Sequence, residues 1–135
     1  MSHEISQQFF FDAAHTLQRD LGDLGDKSEA DSSRRLHGHT YNAEVFLAGK
    51  PDPRSGMVVD LGRVRLAIAG LRETLDHRLL DDVAGLGPAT LENLCSYIWR
   101  QLAPGFPSLS AVRVWRVSSG DGCTLRGDPD GAAAT

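Results

Sequence analysis

Leu36-His37-Gly38-His39-Thr40-Tyr41-Asn42-Ala43-Glu44-Val45-Phe46-Leu47-Ala48-Gly49 alternates in character along most of its length. Successive strand side chains point to opposite faces, so His37, His39, Tyr41, Ala43, Val45 and Leu47 share one side. Thr40, Asn42, Glu44 and Phe46 occupy the other. The stretch predicts a long strand that carries two imidazoles on its apolar face. Upstream, Ile5 to His15 alternates in the same way, with Phe9, Phe11 and Ala13 opposite Phe10, Asp12 and Ala14. His15 closes that strand on the odd face, where it can join His37 and His39 around one ion.

The two strands are separated by Thr16 to Arg35, a polar loop containing Gly22 and Gly25, and loops of that length are usually functional or mobile. Beyond Gly49, Lys50 to Gly56 reads as a turn because Pro51 and Pro53 deny strand continuation. Met57-Val58-Val59 is expected to resume as a short strand. Asp60 then caps a helix in which Leu61, Val64, Ile68, Leu71 and Leu75 recur at helical spacing. Asp81 to Pro88 forms a connection. Thr90 caps a second helix with Leu91, Leu94, Cys95, Ile98 and Leu102 on its apolar face, stopped by Pro104-Gly105. Ala111 to Val117 and Cys123 to Arg126 are the last strands, joined by a turn at Ser118 to Gly122.

The order strand, strand, helix, helix, strand, strand predicts an α+β fold, a four-stranded antiparallel sheet with two helices on one face. Residues 1–128 form one domain and 129–135 a frayed tail. Two open sheet edges favour pairing between copies of the chain.

At 135 residues, with 41% hydrophobic and 24% charged residues, the composition is that of a globular protein. A formal net charge of −4 with no Lys/Arg block argues against a nucleic-acid partner and for a small-molecule ligand. No stretch approaches the ~20 apolar residues of a membrane span, and no signal-peptide pattern is present, so the expected setting is cytoplasmic, without a membrane partner. Cys95 and Cys123 form no CxxC pair or disulfide framework, which suits a reducing compartment.

Neutral imidazole is a common zinc ligand, and three protein ligands leave a fourth position open for chemistry. His15, His37 and His39 meet that count and would leave a zinc ion its full charge as a Lewis acid. HxH pairs also occur by chance, and an isolated histidine at a strand end is also an ordinary polar residue.

Read in order, Phe11-Asp12-Ala13-Ala14-His15, Leu36-His37-Gly38-His39, Gly56-Met57-Val58-Val59-Asp60-Leu61, Leu75-Asp76-His77-Arg78-Leu79-Leu80-Asp81, Thr90-Leu91-Glu92-Asn93 and Leu125-Arg126-Gly127-Asp128 resemble the 6-pyruvoyl-tetrahydropterin and 6-carboxy-tetrahydropterin synthase family. The resemblance runs through residue 128. It implies the tunnelling fold, whose subunits assemble into an oligomeric barrel, commonly a hexamer of two trimers with active sites between subunits. It also implies Zn2+ on His15, His37 and His39, and proton transfer by Asp76 and His77. A carboxylate behind an imidazole fixes its tautomer, so His77 could act as general acid or base. By itself, the same pair is also a helix end with a basic side chain near the negative dipole.

Two positions depart from the family pattern. The catalytic cysteine that commonly lies four residues before the first histidine of the HGH motif is Ser33 here. A thiol ionises near about pH 8.5, whereas an unassisted hydroxyl is a far weaker acid. Glu29 or Asp31 on the same loop could supply a carboxylate base instead, as a glutamate does in some relatives, or belong to a solvated loop. In Val112-Arg113-Val114-Trp115-Arg116-Val117, Arg116 stands where relatives carry a glutamate that grips the pterin. A guanidinium offers donors in place of an acceptor, which suits a carboxylate, phosphate or carbonyl group. Glu92 remains available to hold a substrate N–H or hydroxyl, or is an ordinary first-turn carboxylate.

Three readings follow. The first is a zinc-dependent lyase or isomerase diverged to an anionic, non-pterin hydroxy-carbonyl molecule. The second keeps dihydroneopterin triphosphate as substrate and replaces the cysteine. The third is a non-catalytic zinc-containing binding protein.

Overall fold

The computed structural model describes residues 1–16 and 35–128. Ser33, Glu29 and Asp31, and the expected tail at 129–135, lie outside the described residues. Strands β1 (His3–His15), β2 (His37–Gly49), β3 (Leu109–Arg116) and β4 (Asp121–Arg126) form an antiparallel sheet in the order β1-β2-β3-β4. Helices α1 (Leu61–Leu75) and α2 (Leu91–Leu102) lie between β2 and β3 in the chain, and α1 packs on β1 while α2 packs on β3 and β4.

The alternation read from the sequence is the alternation of burial. Phe11, Ala13 and His15 of β1 and Tyr41, Ala43, Val45 and Leu47 of β2 are buried, as are Val112 and Val114 of β3. They meet Val64, Ile68, Leu71 and Leu75 from α1 and Leu94, Cys95, Ile98 and Leu102 from α2. Each large apolar side chain removed from water there contributes about 1.5–3 kcal/mol before chain entropy is counted. Both helices begin where expected: Asp60 accepts from the Gly62 amide at 2.8 Å and Thr90 from the Asn93 amide at 3.1 Å.

Several boundaries differ from the sequence reading. Met57-Val58-Val59 is not a strand. The turn before it closes on itself, with Asp52 accepting from the Arg54 amide at 2.7 Å and its own amide donating to Met57 O at 2.9 Å. No partner strand reaches the segment among the described residues. β4 starts at Asp121, because Gly120, at φ 73°, closes a tight turn through its amide to Arg116 O at 3.0 Å. β1 begins at His3 rather than Ile5, and β3 spans Leu109–Arg116 rather than Ala111 to Val117. α2 ends at Leu102, ahead of Pro104-Gly105 as read, and one 3-10 turn, Ala103–Gly105, carries the chain to Phe106.

The chain leaving α1 positions the next functional element. Asp76 is extended and His77 adopts φ 58°, a conformation uncommon for a residue with a side chain. The following residues run along the outer edge of β1: the His77 amide donates to Asp12 O at 2.6 Å, the Ala14 amide to Arg78 O at 3.0 Å, and Leu79 bridges Ala14 in parallel.

Candidate metal centre and proton-transfer pair

His15 pairs with His37 in the β1/β2 register and Ala13 pairs with His39, so both strands deliver their histidines to the same place. The ring centroids of His15 lie 4.4 Å from His37 and 5.1 Å from His39, and those of His37 and His39 are 4.9 Å apart. One nitrogen from each ring falls within 4.8 Å of the others. A metal ion is therefore within common reach of the three.

The chemistry of the donors fits an ion. His15 is only 2% exposed, yet among the described residues neither ring nitrogen meets a well-formed hydrogen-bond partner. Buried polar atoms are rarely left so, and a metal would satisfy one of them. The Nδ1 of His37 lies 2.7 Å from Arg35 O; a carbonyl only accepts, so Nδ1 carries the proton and Nε2 keeps its lone pair. Burial, followed by the neighbouring His37, holds His15 below its usual protonation range. Burial and then Arg116 push His39 down to about 4. Neutral rings are the form that binds a metal. Tyr41 forms the floor, its ring stacked on Phe11 at 5.1 Å and 5.7 Å from His39, and burial raises its hydroxyl to about 12.

Arg116 lies beside the triad. The pleat puts it on the helix-facing side with Tyr41 and His39, and its Nη1 is 3.4 Å from His39 Nε2. Asp121, its partner in the β3/β4 register, accepts from Arg116 Nε at 2.9 Å and from Nη2 at 2.5 Å. That side-chain hydrogen bond holds the Asp121 carboxyl down to about 2.

Asp76 and His77 are joined as expected, with His77 Nδ1 3.0 Å from Asp76 Oδ2. The other Asp76 oxygen accepts from the Asp12 amide at 2.9 Å, and Arg72 Nη2 approaches Oδ2 at 3.4 Å. The Asp12 amide first, then His77, holds the Asp76 carboxyl below the usual carboxylate range. The His77 side chain is 80% exposed and borders a cleft of about 540 Å³. Of the strand residues lining that cleft, Asp12, Ala14, Gly38 and Thr40 have the parity of the helix-free face, although His39 borders it as well. The pair thus borders a cleft at the edge of β1 that Ala13 and His39 of the helix-facing side also line.

Glu92 is exposed in the first turn of α2, and among the described residues no hydrogen bond or ion pair joins it to the triad. Three contributors were not singled out in the sequence. Asp121 was legible in principle, since a tight Ser118-Ser119-Gly120 turn places it opposite Arg116. Asp12 and Arg72 act through the edge of β1, a contact between distant parts of the chain for which the sequence carries no local signal.

Residues 4–128 match the family described as 6-pyruvoyl tetrahydropterin synthase. The chain belongs to that family. It is 32% identical over 116 residues to a 6-carboxy-5,6,7,8-tetrahydropterin synthase from Synechocystis, covering 82% of this chain and 83% of the relative. It is 27% identical over 118 residues to a dihydroneopterin monophosphate aldolase from Pyrococcus furiosus, covering 85% and 90%. The solved 6-pyruvoyl tetrahydropterin synthase of Caenorhabditis elegans superposes with a TM-score of 0.77 at 26% identity, over 95% of this chain and 97% of that one. The sheet and helices described above are thus those of the 6-pyruvoyl tetrahydropterin synthase family.

Proposed function

We propose that this protein is a zinc-dependent lyase of the 6-pyruvoyl/6-carboxy-tetrahydropterin synthase type, diverged to a small anionic hydroxy-carbonyl substrate. The observation that carries the reading is the convergence of His15, His37 and His39, with His15 buried and, among the described residues, no well-formed hydrogen bond at either of its nitrogens. A zinc ion held there supplies Lewis acidity toward a hydroxyl or carbonyl oxygen of the substrate. His77 moves the proton at Nε2, because Asp76 engages Nδ1 and so sets the tautomer. Arg116 offers donors where the family pattern has a carboxylate, which favours an anionic group over the N–H edge of a pterin. Glu92 is kept as a second substrate contact. Ser33, Glu29 and Asp31 remain candidates for the base.

The high exposure of the His77 side chain supports an active site completed between copies, the His77 of one working at the triad of another. The outer edge of β4, unpaired among the described residues, supports a homo-oligomer, in our reading a hexamer of two trimers. No helix among the described residues is long and apolar enough to cross a membrane. Cys95 and Cys123 are both free thiols, in keeping with a reducing cytoplasm.

A second reading is favoured by the name of the Synechocystis relative: a pterin synthase acting on dihydroneopterin triphosphate with a loop carboxylate in place of the cysteine. The test for both is one purified preparation. Elemental analysis is expected to find one zinc per chain, and a panel of hydroxy-carbonyl acids to include a substrate. Triphosphate release from dihydroneopterin triphosphate would favour the second reading. Zinc-loaded protein that turns over neither class would leave a binding protein.

A further inference from the structure

We propose that Asp121 is a positioning residue that aims Arg116 at the metal centre and makes the site selective for a 2-hydroxy- or 2-oxo-carboxylate. The inference rests on the proposed function for one point, that the three histidines hold a metal. It goes further by naming the substrate's functional-group arrangement and the residue that imposes it.

A guanidinium carries five N–H donors in a rigid plane. Asp121 takes one from Nε and one from Nη2, gripping a single edge of that plane. Ser119 Oγ donates to Asp121 Oδ1 at 2.8 Å and holds the carboxylate in its turn. The Arg116 side chain is only 19% exposed and its guanidinium carbon lies 6.0 Å from the Tyr41 ring centroid, so the plane has little freedom to swing. Three N–H bonds remain, two on Nη1 and one on Nη2, and Nη1 lies 3.4 Å from His39 Nε2.

That placement restricts what can bind. An anion held by the Nη1 end lies against one of the metal ligands, so the substrate's charged group and its metal-seeking oxygen must be close neighbours. A carboxylate bonded to the carbon that bears the hydroxyl or carbonyl meets the condition. A phosphate at the far end of a longer chain does not, and neither does the N–H edge of a pterin, which would face donors with donors. Without Asp121 the same arginine would keep its charge and lose its direction.

The test is calorimetric binding to the zinc-loaded protein, with glycerate, propionate and glycerol as probes and neopterin as the pterin control. Glycerate is expected to bind at least about tenfold more tightly than either other probe, the difference one charge-assisted hydrogen bond can make. Arg116→Gln and Asp121→Asn are each expected to reduce that preference by about tenfold, with zinc content unchanged. Arg116→Lys, which keeps the charge but cannot be held in a fork, is expected to behave like Arg116→Gln and replaces it if the glutamine variant does not fold. An Asp121→Asn protein that melts earlier but keeps the full preference overturns the positioning role. Equal binding of glycerate and propionate overturns the substrate class, as does neopterin binding that is lost in Asp121→Asn. Because binding needs no turnover, these results are separable from the proposed lyase activity, whose own failure is read from the zinc content and the substrate panel.

Discussion

The amide of Asp12 donates to Asp76 Oδ1 at 2.9 Å, while the carbonyl of the same residue accepts from the His77 amide at 2.6 Å. One residue of β1 therefore holds both Asp76 and His77. Asp12 lies three positions before His15, so the strand that carries one of the three clustered histidines also fixes this pair. The left-handed backbone of His77 persists because both of these bonds constrain it.

Asp76→Asn tests that coupling. The amide side chain can still accept from the Asp12 amide but no longer balances charge on His77. Turnover on whichever substrate the panel identifies is expected to fall by about 10²–10⁴, the usual worth of general acid–base catalysis, with zinc content unchanged. Steady-state rates beside elemental analysis check both halves.

Removing one imidazole from the triad should empty the centre. His37→Ala and His39→Ala are each expected to lower zinc from one per chain to a small fraction, measured by elemental analysis after dialysis. Chelation of the unaltered protein should lower its melting temperature, since an ion bound only by the folded state stabilises it by mass action. A melting temperature indifferent to chelator would count against a bound ion.

Leu75 closes α1, is fully buried, and directly precedes Asp76. Leu75→Ala is expected to cost about 2–5 kcal/mol through lost burial and the cavity left behind. The measurement is the urea midpoint. A shift well below that range would mean that α1 settles into the gap.

The Arg116–Asp121 pair sets a pH dependence with a definite sign. Arg116 holds the folded Asp121 carboxyl down to about 2 against its ordinary value of 3.8. As pH falls, the unfolded chain takes up this proton first, so the pair's contribution is complete above about pH 3.8 and is lost as pH falls through about 2. Asp121→Asn lacks that contribution. The stability difference between the two proteins, followed by urea unfolding, should be largest near pH 5 and shrink toward pH 2. A constant difference would show that the pair acts without its charge.

Much of this molecule is written locally. Asp60 and Thr90 were legible as helix caps because each hydrogen bond spans only two or three residues. The period-two runs through Phe11 and Tyr41 marked the buried face, since a pleated strand can hide only one side on a helix layer. Met57-Val58-Val59 misled because an apolar run becomes a strand only where another strand accepts its hydrogen bonds, and the turn at Asp52 absorbs those of its neighbours instead.

By itself the sequence determined the elements, their apolar faces and the three histidines on one side of two strands, all consequences of backbone periodicity. Only the tertiary structure decided that Arg116 is already paired, that Asp12 and Arg72 serve Asp76, and that the dyad lies along the edge of β1. Those facts depend on strand order, register and the path of the chain after α1, where residues more than sixty positions apart meet and no local pattern records the encounter.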